Sequence, residues 1–341
     1  MVNVALIGVG YWGPNLLRNL ITNNRFDLKI VVDLSEERRS YVRQHYPSVK
    51  VLSEVNDVFN DAEIDAVVIA TPVKTHYDLS VRALKAGKHI LVEKPMVTTL
   101  KELKHVEEIA KQNKCVAMSG HTFLFNNAVR YVKTLIESGD LGDVRYIYAQ
   151  RLNLGRIRSD VDALWNLAPH DISIVQYWLN DLAPSHISRN GMSYIQDGIE
   201  DVVFMNIQYP NKVLVNVHVS WLDPHKVRKI IVVGSKKMVV YDDISENKIA
   251  IYDKGIDQKA ILGEKMDYDL SSIQYSYRNG DLLMPKINFI EPLKTEIHHF
   301  ADCIENDEPC ITGLEHTKNV ISILSQENHL INSERREKVL V

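Results

Sequence analysis

The chain has 341 residues, 45% of them apolar and 25% charged, and its 40 basic and 44 acidic side chains leave a formal net charge of −4. That length exceeds one ordinary core and suits two domains, while 15 glycines and 11 prolines exclude collagen-like and low-complexity chains. The slight negative charge gives no global pull toward nucleic acid or an anionic membrane, so neither is expected as a partner.

The three cysteines, Cys115, Cys303 and Cys310, form neither a disulfide framework nor a metal-ligand spacing. No metal is therefore expected, and a reducing cytoplasm is the default compartment. No apolar run reaches the roughly 18 residues of a spanning helix. Met1–Gly8 lacks the basic stretch and cleavage site of a leader, so the chain reads as starting directly in structure.

From the start to about residue 120, short apolar runs alternate with helical patterns. Val2–Gly8, Leu28–Asp33, Ala66–Ala70, His89–Val92 and Val116–Ser119 are apolar on both faces, as strands of a covered parallel sheet are. Pro14–Asn23, Ser35–Tyr46, Tyr77–Ala86 and Leu100–Asn113 read as the helices between them. This order predicts an α/β, doubly wound Rossmann domain over 1–121. Beyond it the pattern changes. A helix is predicted near Asn127–Ser138, a strand at Val144–Arg151 and a helix at Pro169–Leu179. Strands follow at His186–Ser193, Asp201–Tyr209, Val213–Trp221, Lys229–Gly234 and Met238–Asp242, with a hairpin turn at Pro210–Asn211. Residues 245–288, with Asn279–Gly280, read as irregular, and helices are predicted near Pro292–Glu305 and Glu315–Ser333. The expectation for 122–341 is an α+β domain with a mainly antiparallel sheet, which binds substrate and oligomerises. Its last helices can pack back on the first domain.

Gly8-Val9-Gly10-Tyr11-Trp12-Gly13 matches G-x-G-x-x-G between a predicted strand and a predicted helix, with Pro14 at the helix start. Such glycines let backbone N–H groups approach a pyrophosphate at the helix N-terminus. Asp33 ends the second strand 20 residues after Gly13, where a carboxylate accepts from an adenosine ribose. It also repels a 2′-phosphate, which points to NAD rather than NADP. Arg38 and Arg39 argue the other way, but read more readily as solvated helix residues. The bland alternative is a glycine turn in a nucleotide-free α/β domain.

His89–Val92 runs into Glu93-Lys94-Pro95. Ligands of open α/β sheets bind beyond the carboxyl ends of strands, so Lys94 points at the nicotinamide region if the cofactor is present; taken without context, a surface lysine at a strand end is the preferred reading. Trp165-Asn166-Leu167-Ala168-Pro169-His170-Asp171 is read as the start of a helix, with Pro169 in its first turn. The helix dipole there favours a neutral His170, which can accept a proton near pH 7. Arg151, Arg156 and Arg158, interleaved with Asn153, can fork onto a carboxylate or diphosphate. Balanced by Asp160 and Asp162, they can equally be a solvated basic loop.

The glycine-rich start, Thr71-Pro72 followed by His76, and Glu93-Lys94-Pro95 together resemble the Gfo/Idh/MocA oxidoreductase family over essentially the whole chain. The resemblance implies that Lys94 lies beside the nicotinamide and the reacting carbinol, and that Thr71, Pro72 and His76 line the cofactor. Glu93 is implied to hold the turn or the cofactor. The family's aspartate–histidine pair aligns with Asn166 and His170, so the histidine carries over as a base and the carboxylate does not. The arginine-bearing segment after the last Rossmann strand is altered, reading Gly120-His121-Thr122-Phe123-Leu124-Phe125-Asn126-Asn127. His121 is retained as a substrate-binding candidate. The Trp165–Asp171 stretch resembles a nucleotide-sugar branch that includes UDP-N-acetylglucosamine-uronate 3-dehydrogenases.

These readings imply an NAD-dependent dehydrogenase of a ring hydroxyl, C3 for preference, in surface-polysaccharide sugar biosynthesis. Either Lys94 or His170 serves as base. A dehydrogenase of a free or phosphorylated polyol and a non-catalytic NAD-binding sensor or scaffold are the alternatives. The apolar residues on both faces of Asp201–Tyr209 add an expected homodimer or homotetramer.

Overall fold

In the computed structural model, residues 1–260 and 273–325 are described, and the chain divides into two compact units. Among the described residues the first comprises Met1–Asn126, Ile172–Tyr177 and Phe289–Ser325, and the second Asn127–Asp171 and Trp178–Asn288.

The first unit alternates β1 (Val2–Ile7), α1 (Gly13–Thr22), β2 (Phe26–Val32), α2 (Glu36–His45), β3 (Lys50–Leu52), α3 (Asn56–Asn60), β4 (Ala66–Ile69), α4 (His76–Lys85), β5 (His89–Glu93), α5 (Leu100–Asn113) and β6 (Ala117–Gly120). All six strands are parallel, in the order β3-β2-β1-β4-β5-β6. Every residue of β4 is buried, which is why this run carries no polar alternation. Thr99 and Glu102 form a reciprocal capping box that starts α5. The predicted elements agree to within a few residues. The pair β3 and α3 went unseen, because three and five residues hold too little pattern to read. The strand order reverses between β1 and β4, and that switch point sets the loops after both strands side by side.

The first compact unit runs on to Asn126 and takes in the closing helices. These are α8 (Pro292–Glu305) and α9 (Leu314–Ser325); the rest of the predicted last helix, 326–333, lies outside the described residues. Burial of Leu293, Ile297 and Phe300 accounts for the assignment of α8, with the Phe300 ring stacked 6.0 Å from that of Phe26. Arg18 forks onto Glu291, and Arg25 pairs with Asp302 and Glu305.

The second unit holds α6 (Asn127–Glu137), β7 (Val144–Leu154), most of α7 (Ala163–Trp178), β8 (His186–Met192), β9 (Val202–Gln208), β10 (Leu214–Ser220), β11 (Leu222–Gly234), β12 (Met238–Asp242), β13 (Ile249–Ala260) and β14 (Ile273–Leu283). Its eight-stranded sheet runs β14-β13-β12-β11-β7-β10-β9-β8 and is antiparallel except where β7 meets β10. Ile147, Ala149, Val203, Met205, Ile207, Val215 and Val217 form its buried face. The predicted turn is present: Tyr209 N–H donates to Val213 O (3.0 Å), and Lys212 takes a φ of 65°. The expectation of irregular chain over 245–288 is corrected for its described parts, while 261–272 lie outside the described residues. β13 and β14 pair there, and Asn279-Gly280 sits at a bulge opposite Lys254. Tyr275 and Tyr277 are exposed, so β14 shows no alternation that a sequence pattern could reveal.

Helix α7 starts at Ala163, six residues before the predicted Pro169. Asp162 Oδ1 accepts the Trp165 N–H at 2.8 Å and serves as the cap. Pro169 therefore lies inside the helix and His170 about two turns in, so the dipole argument for a neutral His170 does not hold. Asp171 is buried and takes a bidentate fork from Arg151 on β7, at 2.8 and 3.0 Å. Breaking such a pair strands a charge away from water. Asp171→Asn is expected to lower unfolding stability by about 3–5 kcal/mol in denaturant titrations. Replacing both partners by apolar residues of similar volume is expected to cost much less.

Candidate active site

The glycine loop follows β1. Gly8 has a φ of 96°, and a Cβ there would stand 2.6 Å from Ala70 O, at the end of β4. A Cβ on Gly13 would meet Gly8 O at 2.4 Å. Both glycines are thus required by the loop itself. Gly10 differs, since a Cβ there would meet nothing within 4 Å. The protein leaves space above Gly10, as a backbone cradle for a pyrophosphate requires. No side chain caps α1, and its first turn carries no acid that would repel an anion. These features fit a dinucleotide. Tyr11 is fully exposed and Trp12 partly so.

Asp33 Oδ2 accepts the Val9 N–H (2.7 Å), and Oδ1 accepts the Ser35 N–H (2.8 Å). The predicted ribose ligand therefore also braces the glycine loop. Arg39 is not available to a 2′-phosphate. Its guanidinium donates to Asp33 O and Leu34 O at 2.7 and 2.8 Å and to Glu36.

His76 is corrected from a cofactor-lining residue to an internal clip. It is 1% exposed, with Nε2 at 2.7 Å from Thr71 O and Nδ1 at 2.8 Å from Pro95 O. Burial pushes its pKa below the usual imidazole range, and the two carbonyls only partly oppose this. The clip joins the Thr71-Pro72 segment to the Glu93-Lys94-Pro95 turn, whose Lys94-Pro95 bond is cis. Thr71 Oγ1 lies 2.7 Å from Thr75 Oγ1, which fixes the same segment.

Glu93 ends β5 with its carboxyl group out of water, and burial raises its pKa to about 7. The Lys94 charge, the Lys94 N–H at 3.3 Å and the Trp12 indole oppose that rise. The Trp12 indole of the glycine loop therefore comes up against Glu93 in the Glu-Lys-Pro turn. Glu296 on α8 shares this environment, and neither its role nor that of Thr122 was anticipated. It is 1% exposed and accepts from Thr122 Oγ1 at 2.8 Å. Burial and the nearby Glu93 charge lift its pKa well above the carboxylate range, so it is held as the neutral acid. The available signal was a glutamate on the buried stripe Leu293–Ile297–Phe300 of an amphipathic helix.

His121, expected to touch substrate, is instead buried at 3% exposure, with its ring edge-on to His316 at 5.4 Å. Burial first, then the charges of His316 and Lys94, push its pKa well below the usual range, so it is neutral. His316 Nε2 lies 2.9 Å from Ser173 Oγ. These groups form a buried polar seam at the carboxyl ends of β5 and β6.

The other predicted residues lie in the second unit. Asn166 and His170 share one face of α7, one turn apart, and both are half-buried. Asn166 Oδ1 accepts the Trp221 indole N–H at 3.2 Å, a partner not anticipated. The arginine group does not assemble as expected. Arg151 is the buried partner of Asp171, and Arg158 forks onto Asp160 at 2.9 and 2.6 Å. Arg156 is exposed, and the Asn153 amide folds over Gly155.

Residues 2–121 match the model of an oxidoreductase family with an NAD-binding Rossmann fold, and residues 129–240 match the GFO/IDH/MocA C-terminal domain. An uncharacterised oxidoreductase of Escherichia coli, YdgJ, is 33% identical over 54% of this chain and 51% of its own length. The scyllo-inositol 2-dehydrogenase (NAD(+)) of Bacillus subtilis is 25% identical over 94% of this chain and 91% of its own. In several curated relatives the chain spans only about half to three-fifths of their length. UDP-N-acetylglucosamine 3-dehydrogenase GnnA from Acidithiobacillus ferrooxidans superposes with a TM-score of 0.76 over 96% of both chains, at 22% identity, a likeness of fold. Among the described residues no helix is long and apolar enough to cross a membrane. With both halves matched, and the glycine loop and the Glu-Lys-Pro turn joined at one place, the chain belongs to the Gfo/Idh/MocA family of NAD-binding oxidoreductases.

Proposed function

We propose that this protein is an NAD-dependent dehydrogenase of a secondary hydroxyl on a sugar ring, with a nucleotide sugar such as UDP-N-acetylglucosamine-uronate as substrate and C3 as the carbon oxidised. The observation that carries the reading is the Glu93-Lys94 pair, which ends β5 against the Trp12 indole of the glycine loop. The cofactor supplies a hydride acceptor. With NAD bound to take the hydride, the chain's own task would be to accept the carbinol O–H proton on a base. Lys94 hydrogen-bonds the carbinol oxygen and stabilises the charge that develops there. Glu93 and the His76 clip hold Lys94 in place. His170 is the second candidate base, with Asn166 orienting a substrate hydroxyl. Arg156 and Asn153 remain the substrate-binding candidates of the former arginine group. The likeness to GnnA and the Trp165–Asp171 stretch support the nucleotide sugar. The 94% span shared with the scyllo-inositol enzyme supports a second reading, oxidation of a cyclic polyol. Reduction of NAD, followed by absorbance with UDP-sugars and inositols side by side, separates the two.

Lys94→Ala and His170→Ala are each expected to lower kcat by about 10²-fold or more, with NADH affinity nearly unchanged. Near-wild-type turnover in His170→Ala would leave Lys94 as the sole base. Asn166→Asp keeps activity if a carboxylate is simply absent here, and loses it if the amide donates to substrate.

The cofactor is expected to be NAD rather than NADP, because Asp33 follows β2 beside the glycine loop, where a carboxylate accepts from a ribose, while Arg39 is held by Glu36 and backbone carbonyls. Titration should give a lower Kd for NADH than for NADPH; the reverse order overturns this assignment.

The outer face of the second sheet supports a homo-oligomer. Tyr146, Phe204 and Leu214 are each over 40% exposed, and Leu214 stands opposite Tyr146 in register. Phe204 stacks on His218 at 4.1 Å. Light scattering at micromolar concentration should give a mass at least twice 39.0 kDa.

A further inference from the structure

Away from the glycine loop and the Glu93 turn, the end of α8 and the turn after it gather three ligands of one chemical kind. His299 and Cys303 stand one helical turn apart on α8 and share a face. The chain leaves α8 at Glu305 and comes back past them at Cys310. The imidazole nitrogen and the two sulfurs all lie within 4.8 Å of one another. Cys303 Sγ is 3.4 Å from His299 Nε2. In a tetrahedral zinc site, bonds of about 2.3 Å to sulfur and 2.0 Å to nitrogen set ligand-to-ligand edges of about 3.5–3.8 Å. The cluster is already close to that size.

Its hydrogen bonds also suit a ligand set. Ile311 N–H donates to His299 Nε2 at 3.0 Å, so that nitrogen presents its lone pair, as a ligand must. A cation takes over that lone pair and frees the Ile311 amide. Gly313 N–H closes the turn onto Cys310 O at 3.1 Å, which holds Cys310 beside α8. A divalent cation between the two sulfurs would displace both thiol protons, and two thiolates with an imidazole then balance its charge, which suits a buried place. Cys303 is 2% exposed and Cys310 half-buried, so an ion enters past Cys310. Asp302 and Glu308 form a rival oxygen set around the same histidine, but Asp302 is paired with Arg25.

We propose that His299, Cys303 and Cys310 bind a thiophilic divalent cation of the zinc class, with solvent in the fourth position. The ion pins the end of α8 to the turn that leads into α9. This does not depend on the substrate or on the hydride chemistry.

The test is cobalt substitution in the full-length chain after chelation. Co(II) should bind stoichiometrically, with thiolate-to-cobalt charge-transfer absorption in the near ultraviolet, and Zn(II) should displace it. Cys303→Ser and Cys310→Ser should each remove the band. His299→Gln should weaken Co(II) binding by at least ~10-fold. Cys115→Ser, which alters the remaining cysteine, should leave the band intact. Zn(II) should raise the melting temperature of the wild type and not that of Cys310→Ser. If Cys303→Ser fails to fold, the half-exposed Cys310→Ser variant and the wild-type melting shift decide. A wild type without the band, a band that survives Cys310→Ser, or one lost in Cys115→Ser overturns the proposal.

Discussion

Taking Glu93 out of water at the end of β5 carries a desolvation cost that is offset only by the Lys94 charge, one backbone N–H and the Trp12 indole. Much of the first unit is arranged around that cost. Trp12 can reach Glu93 because the sheet order reverses between β1 and β4, which fans the loops outward from the switch point. A second full charge cannot be accommodated beside it. Glu296 therefore stays protonated and His121 stays neutral. The seam is crowded with titratable side chains yet carries little net charge. Lys94 stands at its edge, where its charge partly offsets the burial of the Glu93 carboxyl group.

The second unit resolves a similar problem differently. Arg151 and Asp171 are both buried and answer each other in a bidentate fork, so the charges cancel in place. That pair uses up an arginine that linear spacing had grouped with Arg156 and Arg158. Seen along the chain the three look like one anion-binding cluster. In the sheet, neighbouring residues of a strand point to opposite faces, and beyond the strand end the chain turns away. Only the fold tells which basic side chain meets a ligand and which meets an internal acid.

What the sequence made legible follows from the range of the signals. The parallel strands declared themselves because burial on both faces removes polar residues from the run, as in β4. The glycine loop was legible because Gly8 and Gly13 are required by contacts close in sequence or at a strand end. Helix α7 was misplaced because Pro169 is a strong local signal for a first turn, whereas the true cap, Asp162, acts on a helix whose interior proline is tolerated. Glu296, Trp221 and His316 escaped notice since their partners, Thr122, Asn166 and Ser173, lie between 55 and 174 positions away. No periodicity encodes a contact of that span. The β13–β14 pair was missed for a related reason, since its exposed tyrosines give no apolar face to read.

Asp33 links two properties that are usually adjusted separately. One oxygen anchors the Val9 amide within the glycine loop and the other anchors Ser35, which caps α2. The residue proposed to discriminate between dinucleotides is therefore also a structural brace. An engineer who exchanges it to admit a 2′-phosphate removes two charge-assisted bonds before gaining any new contact. On that proposal, cofactor preference is mechanically tied to the shape of the loop, and a switch of preference calls for a substitute brace at Val9 and Ser35 as well as a new cation.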